Sequence, residues 1–418
     1  MVSPELEHSS EDALNSLDNA PYKTLSAQAK KKRLVDLATV FFRLGTIAFG
    51  GPAAHVAMMD DEVVKRRRWL SRENLLDLMG VTSLLPGPNS TELAIHIGYE
   101  RAGWAGLFIA GGSFILPAMA LVWLLAVVYV QYQAVPQVEW LLYGIKPVIV
   151  AVILNALFKL GKKALKDNPT KVAGVVAIAA YMIGIHEIAI LLAIGVVVML
   201  FKNWQPRGGS NAMGLLLLPF SDGLSSNVLA QLGTGTAAAT TATSIGLGSV
   251  FLFFLKIGSV LYGSGYVLLA FLQRDLVERF QWLTSQELLD AVAVGQLTPG
   301  PVFTTATFVG YVIAGHGGAI AATVGIFLPA FLLVGLVNPW VSKLRQSPWA
   351  SGFLDGVNAA SLGLMAGVTF ILARAAIVDW LTVGMAVLSA IAVFRFKVNP
   401  AWLVLAGGAI GWLWILAS

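Results

Sequence analysis

From Ala102 to Gln137 the chain carries no charged side chain, and from Val312 to Ser342 the only titratable group is His316. A helix crossing the hydrocarbon core of a bilayer needs about 20 mostly apolar residues. Both stretches exceed that length. Two shorter charge-free stretches run from Trp380 to Val393 and from Ala401 to Ser418. A soluble chain must also cover its core with polar surface. Here 57% of residues are hydrophobic and 12% are charged, about half the charged share of an ordinary soluble domain. These features predict an all-α polytopic membrane protein, with the lipid bilayer as its solvent.

The charges cluster where loops are expected. Residues 1–34 are polar and lack the basic start and apolar core of a signal peptide, so they read as a cytoplasmic tail. Lys30 to Arg33 precede the first apolar segment, which places the N-terminus in the cytoplasm by the positive-inside tendency. The net charge of +5 reads as membrane anchoring, and no recognition-helix pattern points to nucleic acid. There is no cysteine, hence no disulfide or thiolate metal site. No other metal-ligand spacing and no cofactor motif is present.

The chain repeats itself. FRLGTIAFGG at 42–51 matches LKIGSVLYGS at 255–264, and LLPGPNST at 84–91 matches LTPGPVFT at 297–304. The offset is 213, as from Pro86 to Pro299, and becomes 212 by Pro117 and Pro329. The expected units are two homologous transmembrane repeats at 35–201 and 249–418, joined by a linker at 202–248. Together they hold about 10–12 membrane segments. Whether the repeats are parallel or inverted turns on the terminal regions 172–201 and 377–418, and both arrangements occur in transporters.

Each repeat carries a helix breaker, Pro86-Gly87-Pro88 and Pro299-Gly300-Pro301. Proline removes a backbone donor and restricts the residue before it. Backbone freed in hydrocarbon needs protein or a wet cavity around it. The break also starts a new helix, where amides and hydroxyls are aimed to receive an anion. Asn89, Ser90 and Thr91 stand there in the first copy, and Thr304, Thr305 and Thr307 in the second. The plainer reading is a pair of packed proline kinks. Arg43 and Lys256 are lone cations in apolar runs, suited to an anion path or to snorkelling. Gly50 and Gly51, with Pro52, allow close approach or a second break. Glu92 and His96 share a helix face and can titrate, which suits proton coupling or a structural contact. His55 reads the same way. Glu62 and Asp275 are placed to pair with Arg66 and Arg279 as gates, and Lys146 adds positive potential.

No catalytic signature accompanies these features, so an intramembrane enzyme or scaffold is the weaker alternative. The stretches FGGPAAHVAMMDDEVVKRRRWLS at 49–71, LLPGPNSTELAIHIGYERAGWAGLFIAGGSFILPA at 84–118 and QLTPGPVFTTATFVGY at 296–311 resemble the chromate ion transporter family in its long, two-domain form. The resemblance implies a secondary transporter exporting chromate, or sulfate, across a bacterial inner membrane, with halves of opposite orientation. It also puts the family's motif residues on Gly50, Gly51, Pro52, Pro86 through Thr91, Glu92 and His96. The expected drive is the membrane potential, with proton antiport as an addition. A carrier for another oxyanion or organic anion stays open, as does a homodimer.

Overall fold

The computed structural model describes residues 21–49, 51–82, 85–132, 136–204, 245–262, 265–337 and 347–417. Gly50, the first 20 residues of the polar tail and most of the 202–248 linker lie outside the described residues. Among the described residues all regular structure is helical.

The repeat is visible helix by helix. In the first half, α1 spans Ala27–Ile47, and α2 spans Pro52–Met59 and continues as a π-helical turn, Asp60–Arg66. Next comes α3, Arg72–Thr82. The segment Asn89–Tyr132 breaks at Ala102 and Gly103 into α4 (89–101) and α5 (104–132). Then follow α6, Pro136–Ala164, α7, Asn168–Met182, and α8, Glu187–Asn203. The second half repeats the order. It has α9, Leu247–Val260, and α10, which runs from Leu268–Phe271 into a π-helical turn, Leu272–Arg279. Then come α11, Ser285–Leu297, and a segment Thr305–Val337 broken at Ala314 and Gly315 into α12 (305–313) and α13 (316–337). The half closes with α14, Pro348–Ala376, α15, Trp380–Arg395, and α16, Pro400–Ala417.

Local chemistry sets many of these ends. Ser71 Oγ accepts from the Asn74 amide, while Thr284 and Glu287 form the reciprocal capping box that the second copy alone can make. Asp167 and Asp379 form matching capping boxes with Thr170 and Thr382. The Asp379 carboxyl is held below the usual carboxylate range by the Thr382 amide and the Tyr143 hydroxyl.

Side-chain contacts decide the direction of each helix. Arg43 and Glu62 lie 2.7 Å apart, although 19 helical residues in one direction would separate them by about 28 Å. The chain therefore turns back after Ala48, and α1 with α2 forms a hairpin. Arg101 stacks on Trp69, 4.4 Å from the ring centroid, so α3 and α4 form a second hairpin. The apolar stretch that opens the first half is thus a half-helix pair and not one continuous span. A third reversal at Ala102-Gly103 sends α5 back along α4. Gly103 adopts φ 58° there, and Gly315 φ 61° at the matching turn. At Gly98 and Gly106 the two backbones touch, and a Cβ on either would overlap the other's carbonyl.

Following the chain from there gives the topology. Arg33 donates to the Arg101 carbonyl, placing the start of α1 beside the end of α4 on what we call the first face. From that face α5 crosses to the second face, α6 returns, α7 crosses again and α8 returns. At the first face Lys166 and Lys202 both bind Asp355, tying the α7 and α8 ends to α14. At the second face Arg274 donates to the Gly184 and Ile185 carbonyls of the α7–α8 turn. Since Arg274 belongs to α10, the second half begins at the second face. The repeats are inverted, although both terminal regions divide into helix pairs, α7–α8 and α15–α16, a division that by crossing count alone would have suggested parallel halves.

Among the described residues four helical segments are long and apolar enough to cross a membrane: Asn89–Tyr132, Trp140–Ala164, Val302–Val337 and Pro348–Ala376. The helices sort into two bodies, and each draws on both repeats. The hairpins α1–α4 and α9–α12 pack with α5 and α13 as a core. The helices α6–α8 and α14–α16 pack on one another as a scaffold beside it.

Candidate functional site

The two Pro-Gly-Pro turns are packed inside the core, each buried. Each turn lies against the other half: Gly300 touches Ala118 of α5, and Gly87 touches Ala330 of α13. The Gly300 amide donates to the Ala48 carbonyl at 3.0 Å, and the Gly87 amide donates to the Leu261 carbonyl at 2.8 Å. Those carbonyls end α1 and α9. The turn of each repeat therefore caps the first helix of the other.

His55 extends this link. Its Nε2 lies 3.0 Å from the Ala48 carbonyl, and its Nδ1 lies 3.1 Å from Ser90 Oγ. A carbonyl only accepts, so Nε2 carries the proton and the Ser90 hydroxyl donates to Nδ1. His55 is 1% exposed. It joins the second break, through Ala48, to the helix start of the first. The matching second-half residue is Leu268, so the bridge exists once. His55→Ala removes both bonds and leaves a cavity. It is expected to cost about 2–4 kcal/mol and to lower transport at least as far as it lowers the folded fraction. Unchanged thermal unfolding in detergent, with unchanged flux, would refute this role.

The breaks differ in what they leave unmet. Asn89 Oδ1, Thr91 Oγ1 and both Glu92 carboxyl oxygens are buried without a hydrogen-bond partner among the described residues. Thr91, Glu92 and His96 are 0% exposed. The Glu92 carboxyl folds back against Gly87, at the turn itself. In the second half the hydroxyls are engaged locally. Thr304 and Thr305 donate to the Pro301 and Val302 carbonyls, and Thr307 pairs with Thr323 at 2.7 Å. The sequence suggested two equivalent donor sets, but the unmet polar atoms gather at the first break. Backbone geometry decides this, because a threonine in a helical turn can bond a carbonyl of the same turn.

The cations are arranged otherwise than expected. Arg43 pairs with Glu62, which also takes Arg67 at 2.9 Å and lies 3.8 Å from Arg66. Lys256 pairs with Asp275 at 3.2 Å. Arg279 stacks on Phe280 instead of pairing with Asp275. Lys146 lies 3.5 Å from Asp290. Because the repeats are inverted, Arg43 and Lys256 lie toward opposite faces, each held by a carboxylate. Gly51, at φ 76°, starts α2 beside the same centre.

Sequence reading missed three participants: the Ala48 and Leu261 carbonyls, which carry no side-chain signal, and Asp290, whose partners are remote in sequence. Among the described residues no group of acidic or histidine side chains could hold a metal ion.

Paired broken helices inside an inverted-repeat bundle of apolar helices define a multi-pass membrane protein of the transporter class. The chain belongs to the chromate transporter family, whose model matches residues 35–200 and 248–412. It is 31% identical to a chromate transport protein of Cupriavidus metallidurans over 95% of both chains. It is 33% identical to a chromate transport protein of Pseudomonas aeruginosa, over 89% of this chain and 90% of that one. A probable chromate transport protein of Synechococcus elongatus is 31% identical, over 83% and 86% of the two chains. No solved structure matches the chain.

Proposed function

We propose that this protein carries chromate, a tetrahedral dianion, out of the cytoplasm across a bacterial inner membrane. The observation that carries the reading is the pairing of charges at the two breaks. Helix starts bear partial positive charge and helix ends partial negative charge. Here the ends of α1 and α9 are neutralised by glycine amides and His55, which leaves the starts of α4 and α12 uncompensated. An oxyanion is the ligand such a centre favours. The names of the relatives supply chromate. Sulfate has the same shape and charge and is the natural competitor.

Orientation follows from the basic residues. Lys30 to Arg33, Lys65 to Arg68, Lys159 to Lys166 and Lys202 all belong to the first face. That bias supports a cytoplasmic first face and a cytoplasmic N-terminus. A dianion leaving an inside-negative cell gains about 4.6 kcal/mol per 100 mV, roughly a 10³-fold ratio at equilibrium. Potential alone then suffices. Proton antiport would require Glu92 to be ionised while the dianion is bound, and two negative groups in a dry site repel strongly. We therefore favour uniport with a proton kept on Glu92.

Proteoliposomes loaded with labelled chromate test this. Efflux is expected to follow an imposed potential, to be inhibited by sulfate, and to ignore a pH gradient. Glu92→Gln, neutral and nearly isosteric, is expected to retain most of the flux, whereas Glu92→Lys abolishes it. Flux that tracks the pH gradient and loses that dependence in Glu92→Gln would overturn the uniport reading. Absence of chromate flux with robust transport of another anion would overturn the cargo.

A further inference from the structure

The inverted repeats are related in sequence, yet they meet the scaffold unequally. Helix α11 packs on α6, α14 and α16. Among the described residues its counterpart α3 makes its extensive contacts with the α4–α5 segment and the π-helical turn after α2. Exposure follows. Leu289 on α11 is 3% exposed, while the equivalent Leu76 on α3 is 52% exposed. Asp290 is buried, and the equivalent Asp77 is exposed.

Polar contacts also tie the second half of the core to the scaffold. Lys146 of α6 reaches Asp290 at 3.5 Å, with side chains 15% and 4% exposed. The Tyr129 hydroxyl donates to the other Asp290 oxygen at 3.0 Å and fixes the carboxylate. Arg274 of α10 holds the α7–α8 turn and lies 3.4 Å from the buried Glu187. Gln286 of α11 donates to the Ala375 carbonyl at 3.2 Å. All three core residues that reach the scaffold here belong to the second half. The matching positions hold Asn358 for Lys146, Asp61 for Arg274 and Glu73 for Gln286, so the first half cannot make the same set.

We propose that the open side of α3 is the access route from the first face to the breaks, and that Lys146 with Asp290 is the latch closing the route from the second face. In the opposite state α3 docks on the scaffold and α11 leaves it. The repeats exchange roles, as inverted repeats permit. The moving boundary then lies between core and scaffold, not between the two sequence halves. The hydrogen bonds from Gly87 and Gly300 stay intact because both turns travel within the core. The inference rests on the breaks being the transport site. Lys146 and Asp290 act as positioning residues, since neither reaches the breaks' unmet atoms.

The chain has no cysteine, so single cysteines can be labelled without background. In oriented vesicles a membrane-impermeant maleimide is expected to modify Leu76→Cys from the first face and to leave Leu289→Cys unmodified from the second. Neutralising one partner leaves a buried charge without its counter-ion. Lys146→Met and Asp290→Asn should therefore each raise labelling of Leu289→Cys from the second face by roughly tenfold, the shift of a two-state balance by one decade. The exchanged pair Lys146→Asp with Asp290→Lys should restore protection, which a purely structural role would not predict from two individually damaging changes. A monodisperse gel-filtration profile and an unchanged unfolding transition in detergent for each background report that the fold survives. Equal labelling of Leu76→Cys and Leu289→Cys in the parent would overturn the access route. Unchanged Leu289→Cys labelling in both neutralised variants would overturn the latch. Neither readout uses cargo, so a wrong substrate would leave this result standing, and a failed latch would leave the flux result standing.

Discussion

Leucine at Gly106 is expected to leave no folded transporter. Helices α4 and α5 meet backbone to backbone at Gly98 and Gly106, where even a Cβ would overlap a carbonyl. Lipid supplies no hydrophobic force between helices, so close packing of small residues holds such a pair together. Overpacking a core with side chains costs about 1–3 kcal/mol when neighbouring rotamers can yield. A backbone carbonyl cannot yield that way, so the hairpin must open. Opening it displaces the start of α4, and with it Ser90, Thr91 and Glu92. The matching change Gly318→Leu should fail alike, because Gly310 and Gly318 repeat the contact. Gly112 has nothing within 4 Å of a built Cβ, and Gly112→Leu should purify normally. Monodisperse protein from Gly106→Leu, with flux equal to that of Gly112→Leu, would refute the hairpin packing.

The second large effect is expected from Glu62→Gln. Glu62 is the shared acceptor of Arg43 and Arg67, with Arg66 also within 4 Å. Its side chain is 7% exposed. Removing the charge leaves three guanidiniums around one amide. The arginines are partly solvated, so the loss is about 1–3 kcal/mol, less than for a fully buried pair. It falls on the α1–α2 hairpin, which positions His55 and the Ala48 carbonyl. Transport should drop by more than tenfold, an effect of about 1.4 kcal/mol on the positioned state. Asp275→Asn strips a single cation, Lys256, and should cost less. An Asp275→Asn variant as impaired as Glu62→Gln would show that the number of cations on the carboxylate is not what matters.

The same residues mark where sequence reasoning reached and where it stopped. Helix breaks at Pro86-Gly87-Pro88 and Pro299-Gly300-Pro301 are local chemistry, and so are the Ser71 and Thr284 caps. Each depends on residues within one turn. Arg43, Glu62, Lys256 and Asp275 were legible as charges needing partners. The expected Glu62–Arg66 pair is present, but the closer Arg43 was not foreseen as a partner of Glu62, nor Lys256 as that of Asp275 in place of Arg279, because nothing local reports that the chain reverses after α1. Thr304 and Thr305 were read as free donors, although each hydroxyl bonds a carbonyl of its own turn. Asp290 carried no signal, since Lys146 and Tyr129 reach it from the other repeat.

Sequence by itself determined that this chain lives in lipid, that it is a duplicated unit, and where its membrane helices must break. Those properties follow from transfer energy and backbone donors, which are summed residue by residue. Tertiary structure alone decided that the breaks become hairpins, that each turn caps the opposite repeat, and that core and scaffold each draw on both halves. The reason is physical: a broken helix is free to continue or to turn back, and only contacts between remote residues, such as Gly98 on Gly106 or Gly300 on Ala48, select the direction.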